Sequence, residues 1–249
     1  MLVLAIETAT VNCSVALLHL DKVIAEECVA LPRVHSVLLM PMVAQLYQRA
    51  SAIPSETGLI AVSAGPGSFT GLRIGMATAK GLALCWSKPC VAVGTLDAIA
   101  LQVLQTAATG LRRADGPLPL VCAVLKSRQD ELYYGLFRWE GGGVQPVCDV
   151  GTGAPQAVAR WVASVGSPVV VVGEVEGAEG HRLAQELEKL GVEFNVAPQW
   201  LCRPRASTVG VMGMVLWREG RATDARGLSP AYVRRSEAEV KWSLKQGRE

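Results

Sequence analysis

The segment 61–86 constrains the fold of this chain more than any other part of it. An apolar run opens the segment, a turn rich in glycine and proline follows, and a stretch with helical spacing closes it. From Thr70 onwards that stretch carries charge only at Arg73 and Lys80. A helix on the outside of a soluble domain normally keeps one polar face. Both sides of this helix must therefore be covered, and we expect a partner protein to cover the side that its own domain leaves open.

The composition favours a globular protein with surplus apolar surface. At 249 residues the chain is long enough for one large domain or two compact lobes. Hydrophobic residues make up 50% and the mean hydropathy is +0.30, yet no apolar run approaches the roughly 18 residues that cross a bilayer. We therefore expect no membrane association. The net charge of +2 excludes a strong, general binder of polyanions.

The cysteines and the start of the chain indicate a reducing compartment. The 7 cysteines are odd in number and form no C-x-x-C pair, which disfavours a disulfide framework or a zinc knuckle. The apolar residues 1–6 have no basic region and are followed at once by Glu7, so they predict a first strand and not a signal peptide. We expect a cytoplasmic protein with free thiols.

The periodicity of apolar residues predicts two α/β units in succession. The first has strands at 2–7, 13–18, 23–29, 59–64 and 90–93 and helices at 35–52, 70–87 and 96–106. After a segment rich in glycine and proline, the second has strands at 120–125, 131–139, 144–147, 169–172 and 194–197 and helices at 155–165, 178–190 and 207–219. We therefore predict an N-terminal lobe at 1–106, a linker at 107–119, a C-terminal lobe at 120–220 and a basic tail at 221–249. Each lobe is a mixed sheet with flanking helices.

Basic residues are concentrated near the end of the sequence, at Arg234, Arg235, Lys241, Lys245 and Arg248. Such a tail is either a solvated end or a contact for RNA, and the sequence leaves both interpretations open.

Two helices carry the predicted partner interface. The helix at 35–52 has two apolar stripes and contains Pro41, which predicts a kink or a false start. The helix at 70–87 has two rows of small residues, so one row can face its own sheet and the other a neighbouring helix. The first row is Gly71, Gly75 and Ala79, and the second is Ala77, Gly81 and Cys85. The predicted interface residues are Leu38, Leu39, Met42, Val43, Leu46, Leu72, Arg73, Met76, Ala79 and Lys80. The sequence leaves open which stripe of the helix at 35–52 faces the partner. We expect Met42→Arg or Met76→Arg to abolish partner binding without unfolding the chain.

A second candidate site is the turn Gly65-Pro-Gly-Ser-Phe-Thr-Gly71, which lies between a strand and a helix. Backbone N–H groups and the helix dipole at such a turn can hold an anion, so Gly65, Gly67, Ser68 and Thr70 are possible phosphate contacts. No Gly-Lys-Ser/Thr closes the turn, so it is not a Walker A loop. The alternative is a sharp turn with Ser68 or Thr70 as the helix N-cap.

Residues for catalysis are scarce. The 3 histidines are not spaced to share a metal, and no Ser-His-Asp set or paired carboxylates stand out. His35 opens a helix, where capping is its ordinary role, and Asp97 is expected to be a favourable charge at a helix N-terminus. We predict no catalytic residue, no metal and no cofactor.

Several motifs together closely resemble the bacterial TsaB (YeaZ) family. They are Leu4-Ala-Ile-Glu-Thr-Ala-Thr10 with residues 13–17, the segment 35–41, residues 65–75 with 79–82, the segment 93–100, and the tail residues 230–234. The resemblance runs from residue 1 to about residue 235 and is most specific in the N-terminal half.

The resemblance implies a two-lobed ASKHA fold, that is, an actin-like ATPase fold built from ribonuclease-H-like lobes. It also implies a role in attaching threonylcarbamoyl to the tRNA adenosine next to the anticodon (t6A biosynthesis). In that family the TsaB subunit is non-catalytic and binds a catalytic TsaD subunit, which a small TsaE ATPase joins. The implied partners are therefore a TsaD-like subunit, a TsaE-like ATPase and tRNA through the complex, and we expect a homodimer when the chain is alone.

Comparison with the catalytic paralogues supports a non-catalytic role. Their metal-binding histidines correspond here to Thr95 and Ile99, and isoleucine cannot ligate a metal. Their phosphate-binding Ser-Gly-Gly-His turn reads Lys126-Ser-Arg-Gln129, and their acidic pair reads Val11-Asn12. One departure from the TsaB pattern is Lys126-Ser127, where members commonly have Asp-Ala before the arginine.

Two rival functions remain. An ASKHA kinase or a metalloprotease would need ligands and acids that the sequence lacks. A nucleotide-responsive regulator, with the turn Gly65-Pro-Gly-Ser-Phe-Thr-Gly71 as its sensor, is the alternative that the sequence leaves open.

Overall fold

The computed structural model describes residues 1–109 and 118–233. The first lobe contains β1 (Leu2–Glu7), β2 (Asn12–His19), β3 (Lys22–Ala30), α1 (His35–Arg49), β4 (Thr57–Gly65), α2 (Phe69–Trp86), β5 (Cys90–Gly94) and α3 (Thr95–Thr109). Its sheet has the order β3-β2-β1-β4-β5, in which the first three strands form an antiparallel meander and β1, β4 and β5 are parallel.

The second lobe contains β6 (Leu120–Arg128), β7 (Glu131–Glu140), β8 (Gly143–Pro146), β9 (Gly151–Gly153), α4 (Pro155–Val165), β10 (Val169–Gly173), α5 (Ala178–Lys189) and β11 (Phe194–Val196), followed by α6 (Ala206–Arg218). Its sheet has the order β11-β10-β6-β7-β8, with β9 beside β7. Most predicted elements in both lobes match these bounds to within a few residues. Helix α1 runs through Pro41 without a break in its assigned range.

In the first sheet, residues on alternate sides of a strand belong to different cores. In β1, Leu4 and Ile6 pack with α1 and α2, whereas Val3 and Ala5 belong to the core that contains α3 and α6. Every residue of β1 is buried, because helices cover both faces of the first sheet.

The position of α6 differs from the predicted C-terminal lobe at 120–220. This helix packs on β1, β2 and β4 of the first sheet. Small residues bring its backbone close to the strands, since a Cβ at Gly210 would meet Leu18 and one at Gly213 would meet Ala61. The chain therefore returns to the first lobe after β11, and lobe membership does not follow chain order.

The predicted linker and tail fall mainly outside the described residues. Helix α3 continues to Thr109, past the predicted start of the linker at 107. Of the tail, residues 221–233 are described, whereas Arg234, Arg235, Lys241, Lys245 and Arg248 lie outside the described ranges.

Candidate partner-binding surface and interlobe cleft

Most of the predicted interface residues lie in the core of the first lobe. The buried ones, each at most 3% exposed, are Leu39, Met42, Val43, Leu46, Leu72, Met76 and Ala79. Leu39 and Met42 pack with strand residues such as Ile6, so they cannot contact a partner while the lobe is folded. Because an arginine has no room at Met42 or Met76, those substitutions should unfold the lobe, and the expectation that they spare the fold is corrected.

A different set of residues on the same two helices faces outward. Val37 is 69% exposed, Met40 49% and Leu84 64%. Of the predicted residues, Arg73 is exposed, and Leu38 and Lys80 are partly exposed. We define the outer α1–α2 face as Val37, Met40, Pro41, Ala44, Arg73, Ala77, Lys80, Gly81 and Leu84. It is the side of these helices that lies away from the sheet.

The two rows of small residues on α2 face opposite ways. Gly71 packs against the end of β1, where a Cβ would overlap the Thr8 carbonyl oxygen, and Gly75 packs against the Thr8 side chain. Gly81 in the other row is exposed, and a Cβ there would meet nothing within 4 Å. One row therefore serves the lobe, and the other leaves the α2 backbone open to close approach.

The turn between β4 and α2 uses its polar groups internally. The Ser68 N–H donates to the Ala9 carbonyl at 2.6 Å, and the Ser68 hydroxyl accepts from the Gly71 N–H at 3.2 Å. Ser68 is thus the N-cap of α2, as predicted by the alternative interpretation of this segment as a sharp turn with Ser68 or Thr70 as the N-cap. Gly67 lies against Ala9, where a Cβ would overlap the Ala9 carbonyl. A phosphate contact by Gly65, Gly67, Ser68 and Thr70 stays a prediction.

A cavity of about 800 Å³ opens between the lobes beside this turn. The turn supplies Gly67, Ser68 and Thr70, the loop before α1 supplies Arg33, and β6 supplies Lys126. The Lys126 ammonium lies 3.1 Å from a carboxylate oxygen of Glu179. Hydrogen bonds from the backbone N–H of Glu179 and from Lys126 hold the pKa of the Glu179 carboxyl below its ordinary value. The lysine charge is therefore already compensated.

The two positions that the resemblance aligns with metal ligands of the catalytic paralogues lie in the core. Thr95 and Ile99 are both fully buried at the start of α3. Within residues 1–109 and 118–233, no group of three His, Cys, Asp or Glu side chains is placed to hold a metal.

Two polar residues expected at helix starts have different outcomes. Val34 and not His35 is the N-cap of α1, and the His35 ring instead donates from Nε2 to the Asn12 carbonyl at 3.0 Å. The capping role expected for His35 is therefore wrong. Asp97 lies in the first turn of α3 as predicted, and burial raises the pKa of its carboxyl.

Sequence reasoning missed an aromatic cluster formed by the described end of the chain. The Tyr232 and Phe69 rings lie with centroids 5.5 Å apart, and the Arg73 guanidinium carbon lies 3.8 Å from the Phe69 centroid. The Ala231 N–H also donates to the Ala64 carbonyl. The only sequence indication was that residues 230–234 match a family motif, because a contact across so long a stretch of chain leaves no periodic pattern.

Comparison with known proteins identifies the family. The family model "TsaD: tRNA N6-adenosine threonylcarbamoyltransferase" matches residues 29–242. A tRNA threonylcarbamoyladenosine biosynthesis protein TsaB from Bacillus subtilis is 32% identical over 245 residues, covering 97% of this chain and 98% of the relative. The chain belongs to the TsaB (YeaZ) family. Its assignment from the sequence motifs is confirmed.

Solved structures agree with the family assignment. YeaZ from Pseudomonas aeruginosa has a TM-score of 0.75 and 28% identity, covering 93% of this chain and 99% of that one. The ROK hexokinase from Thermus thermophilus has a TM-score of 0.51 at 12% identity, covering 88% and 100%, and shares the fold alone. The predicted two-lobed ASKHA fold of the TsaB family is thereby confirmed.

Two further findings concern the whole chain. All seven cysteines are free thiols, as predicted. Among the helices of the described ranges, none has the length and apolar character that crossing a membrane requires.

Proposed function

We propose that this chain is a non-catalytic, activating subunit that binds a TsaD-like catalytic subunit in the cytoplasm. Together they transfer threonylcarbamoyl to the tRNA adenosine next to the anticodon, with a TsaE-like ATPase joining them and tRNA reached through the complex. The names of its relatives, which refer to tRNA threonylcarbamoyladenosine biosynthesis, support the pathway.

The observation that carries the proposal is the outer α1–α2 face. Val37, Met40 and Leu84 are large apolar side chains that remain exposed on adjacent helices of one layer. Burying each of them stabilises an interface by about 1.5–3 kcal/mol before association costs are subtracted. The open backbone at Gly81 allows a partner helix to pack closely. The same face can pair with itself, so we expect a homodimer in the absence of the catalytic subunit.

The non-catalytic role is supported by what occupies the paralogues' reactive positions. Ile99 aligns with a metal ligand of the paralogues, but its buried side chain is a hydrocarbon and cannot bind a metal. Ser127 and Arg128 occupy the places of the two glycines that let backbone approach a phosphate. These side chains are consistent with a subunit that binds a partner and does not itself catalyse the reaction.

Co-purification of the tagged chain with the TsaD-like subunit tests the proposal. Val37→Arg and Leu84→Arg place a charge on the outer face at exposed positions, so each variant should fold and lose the partner. Trp200→Arg is the matched control, because Trp200 is 67% exposed on the second lobe. Retained co-purification of both helix variants would contradict the interface. Transfer activity of the isolated chain would contradict the non-catalytic role.

A nucleotide-responsive regulator is the second candidate, favoured by the cavity of about 800 Å³ between the lobes. Calorimetry with ADP tests it, with Arg33→Ala as the variant, since Arg33 is exposed and lines the cavity. Heat of binding that Arg33→Ala removes would favour this candidate. Gly67→Val is unsuitable, because its side chain would collide with Ala9 whether or not a nucleotide binds.

A further inference from the structure

We propose that Arg73 and Lys80 make the outer α1–α2 face selective for a partner surface that bears carboxylates, in preference to a second copy of this chain. The proposal rests on the proposed function, which assigns this face to a TsaD-like subunit. It adds the charge that the partner must carry and the reason why self-association is the weaker of the two pairings.

The outer face carries charge of one sign. Neither α1 nor α2 contains an aspartate or glutamate. Arg49 at the end of α1 is paired with Glu27 at 3.5 Å. In residues 1–109 and 118–233, by contrast, Arg73 and Lys80 make no ion pair. The nearby Asp224 carboxylate instead accepts the backbone N–H groups of Arg226 and Gly227 at 2.9 Å.

The Arg73 guanidinium is oriented by contacts that leave it free to bind a carboxylate. Its guanidinium stacks on the Phe69 ring with 3.8 Å between Cζ and the centroid, and its Nε donates to the Tyr232 hydroxyl at 3.4 Å. These contacts fix the plane of the group and leave its Nη atoms for the forked pair that arginine makes with carboxylates. A side chain ordered before binding loses less entropy on binding.

Arg73 and Lys80 are seven positions apart on α2, which is about 10 Å along a helix. Seven positions are close to two full helical turns, so both side chains lie on the same edge of α2, and Arg73 there contacts Tyr232. A partner helix with carboxylates two turns apart matches this spacing.

Self-association brings these cations together without compensation. In a two-fold dimer the same patch meets itself, so each cationic edge faces a surface that has no acid on either helix. Like charges across an interface oppose pairing, and opposite charges favour it. The apolar residues of the face therefore allow both pairings, whereas Arg73 and Lys80 distinguish between them.

Charge reversal tests the inference. The double variant Arg73→Glu with Lys80→Glu should bind the purified TsaD-like subunit at least about tenfold more weakly. Mixed with the wild-type chain, it should form a dimer tighter than either homodimer, measured by sedimentation. Raising ionic strength should weaken the wild-type complex with the TsaD-like subunit and strengthen the wild-type homodimer. Arg160→Glu on the exposed side of α4 is the matched control and should change none of these.

The outcomes separate this inference from the proposed function. If Leu84→Arg abolishes binding but the double charge reversal leaves it unchanged, the charges are irrelevant and the inference falls while the interface stands. If neither changes binding, the proposed interface falls as well. The inference also falls if the double variant loses only tRNA binding, since the counter-charge is then phosphate. It falls too if removing residues 234–249 abolishes the effect of the reversal, since Glu237 and Glu239 then supply the carboxylates.

Discussion

Glu7 is a carboxyl group enclosed at the end of β1. Its Oε1 accepts the Ala9 N–H at 2.6 Å, while within the described residues Oε2 has no hydrogen-bond partner. Burial raises the pKa of Glu7 from 4.5 to about 7, against the lowering effect of the hydrogen bonds from Ala9 and Ser63. The folded lobe therefore holds a proton that the unfolded chain has already released between these two pH values.

The pH dependence of stability follows from this difference. Between pH 4.5 and about 7 only the folded state keeps the Glu7 proton, so the free energy of unfolding falls as pH rises. Above about pH 7 the full cost, about 3 kcal/mol, is present. Glu7→Gln should flatten this slope and stabilise the chain at about pH 8, as measured by urea unfolding. Glu140→Gln, at an exposed position, is the control, and an unchanged slope in Glu7→Gln would contradict the assignment.

The glycines of α2 offer a matched pair of substitutions. Gly71→Ala should destabilise the chain by about 1–3 kcal/mol, because its methyl group would collide with the Thr8 backbone. Gly81→Ala should stabilise it by about 0.5–1 kcal/mol, because its methyl group meets open space and alanine favours helix. Thermal unfolding of both variants checks the prediction. Equal effects would mean that the two rows do not face opposite ways.

At the scale of elements, Met40 and Met42 lie on different sides of α1. Met40 belongs to the proposed interface and Met42 to the core. Met42 is 3% exposed, so Met42→Arg should abolish the cooperative unfolding transition by burying a charge. Met40 is 49% exposed, so Met40→Arg should keep the wild-type transition and lose the TsaD-like subunit. Circular dichroism and co-purification of each variant check this. A folded Met42→Arg chain would contradict the burial of that stripe.

The sequence predicted the elements better than their faces. Long apolar runs identified β1 and β4, and helical spacing identified α1 and α2, because those patterns are local. The side of α1 that packs on the sheet was not predictable, since Leu38 and Leu39 start neighbouring stripes of equal apolar character. In the structure, members of both stripes are buried, and the exposed Val37 and Met40 belong to neither stripe. Most residues of the predicted interface therefore lie on the buried sides of α1 and α2, and partner binding by these two helices stays a prediction.

At the scale of the molecule, one hydrophobic core joins the two lobes. Val3 and Ala61 of the first sheet and Val121 and Phe137 of the second belong to the same cluster of buried residues. Helix α3 contacts strands of both sheets, and α6 packs beside α3. Contacts between residues far apart in the chain, such as that of α6 with the first sheet or of Tyr232 with Phe69, are not visible in local patterns. The position of α6 and the contact between Tyr232 and Phe69 were therefore not predicted from the sequence.

This shared core predicts cooperative unfolding. Calorimetry should give one transition whose calorimetric and van't Hoff enthalpies agree, because neither lobe can lose its structure without exposing the common cluster. Two separate transitions would show that the lobes are independent units.

The most direct test of the whole account is threonylcarbamoylation of unmodified tRNA by the reconstituted subunits. With the TsaD-like subunit, the TsaE-like ATPase and the substrate supplied, the wild-type chain should restore modification, and Leu84→Arg should not, although it folds. The chain alone should modify nothing. Full modification with Leu84→Arg, or any modification by the chain alone, would contradict the account of a partner-binding, non-catalytic subunit.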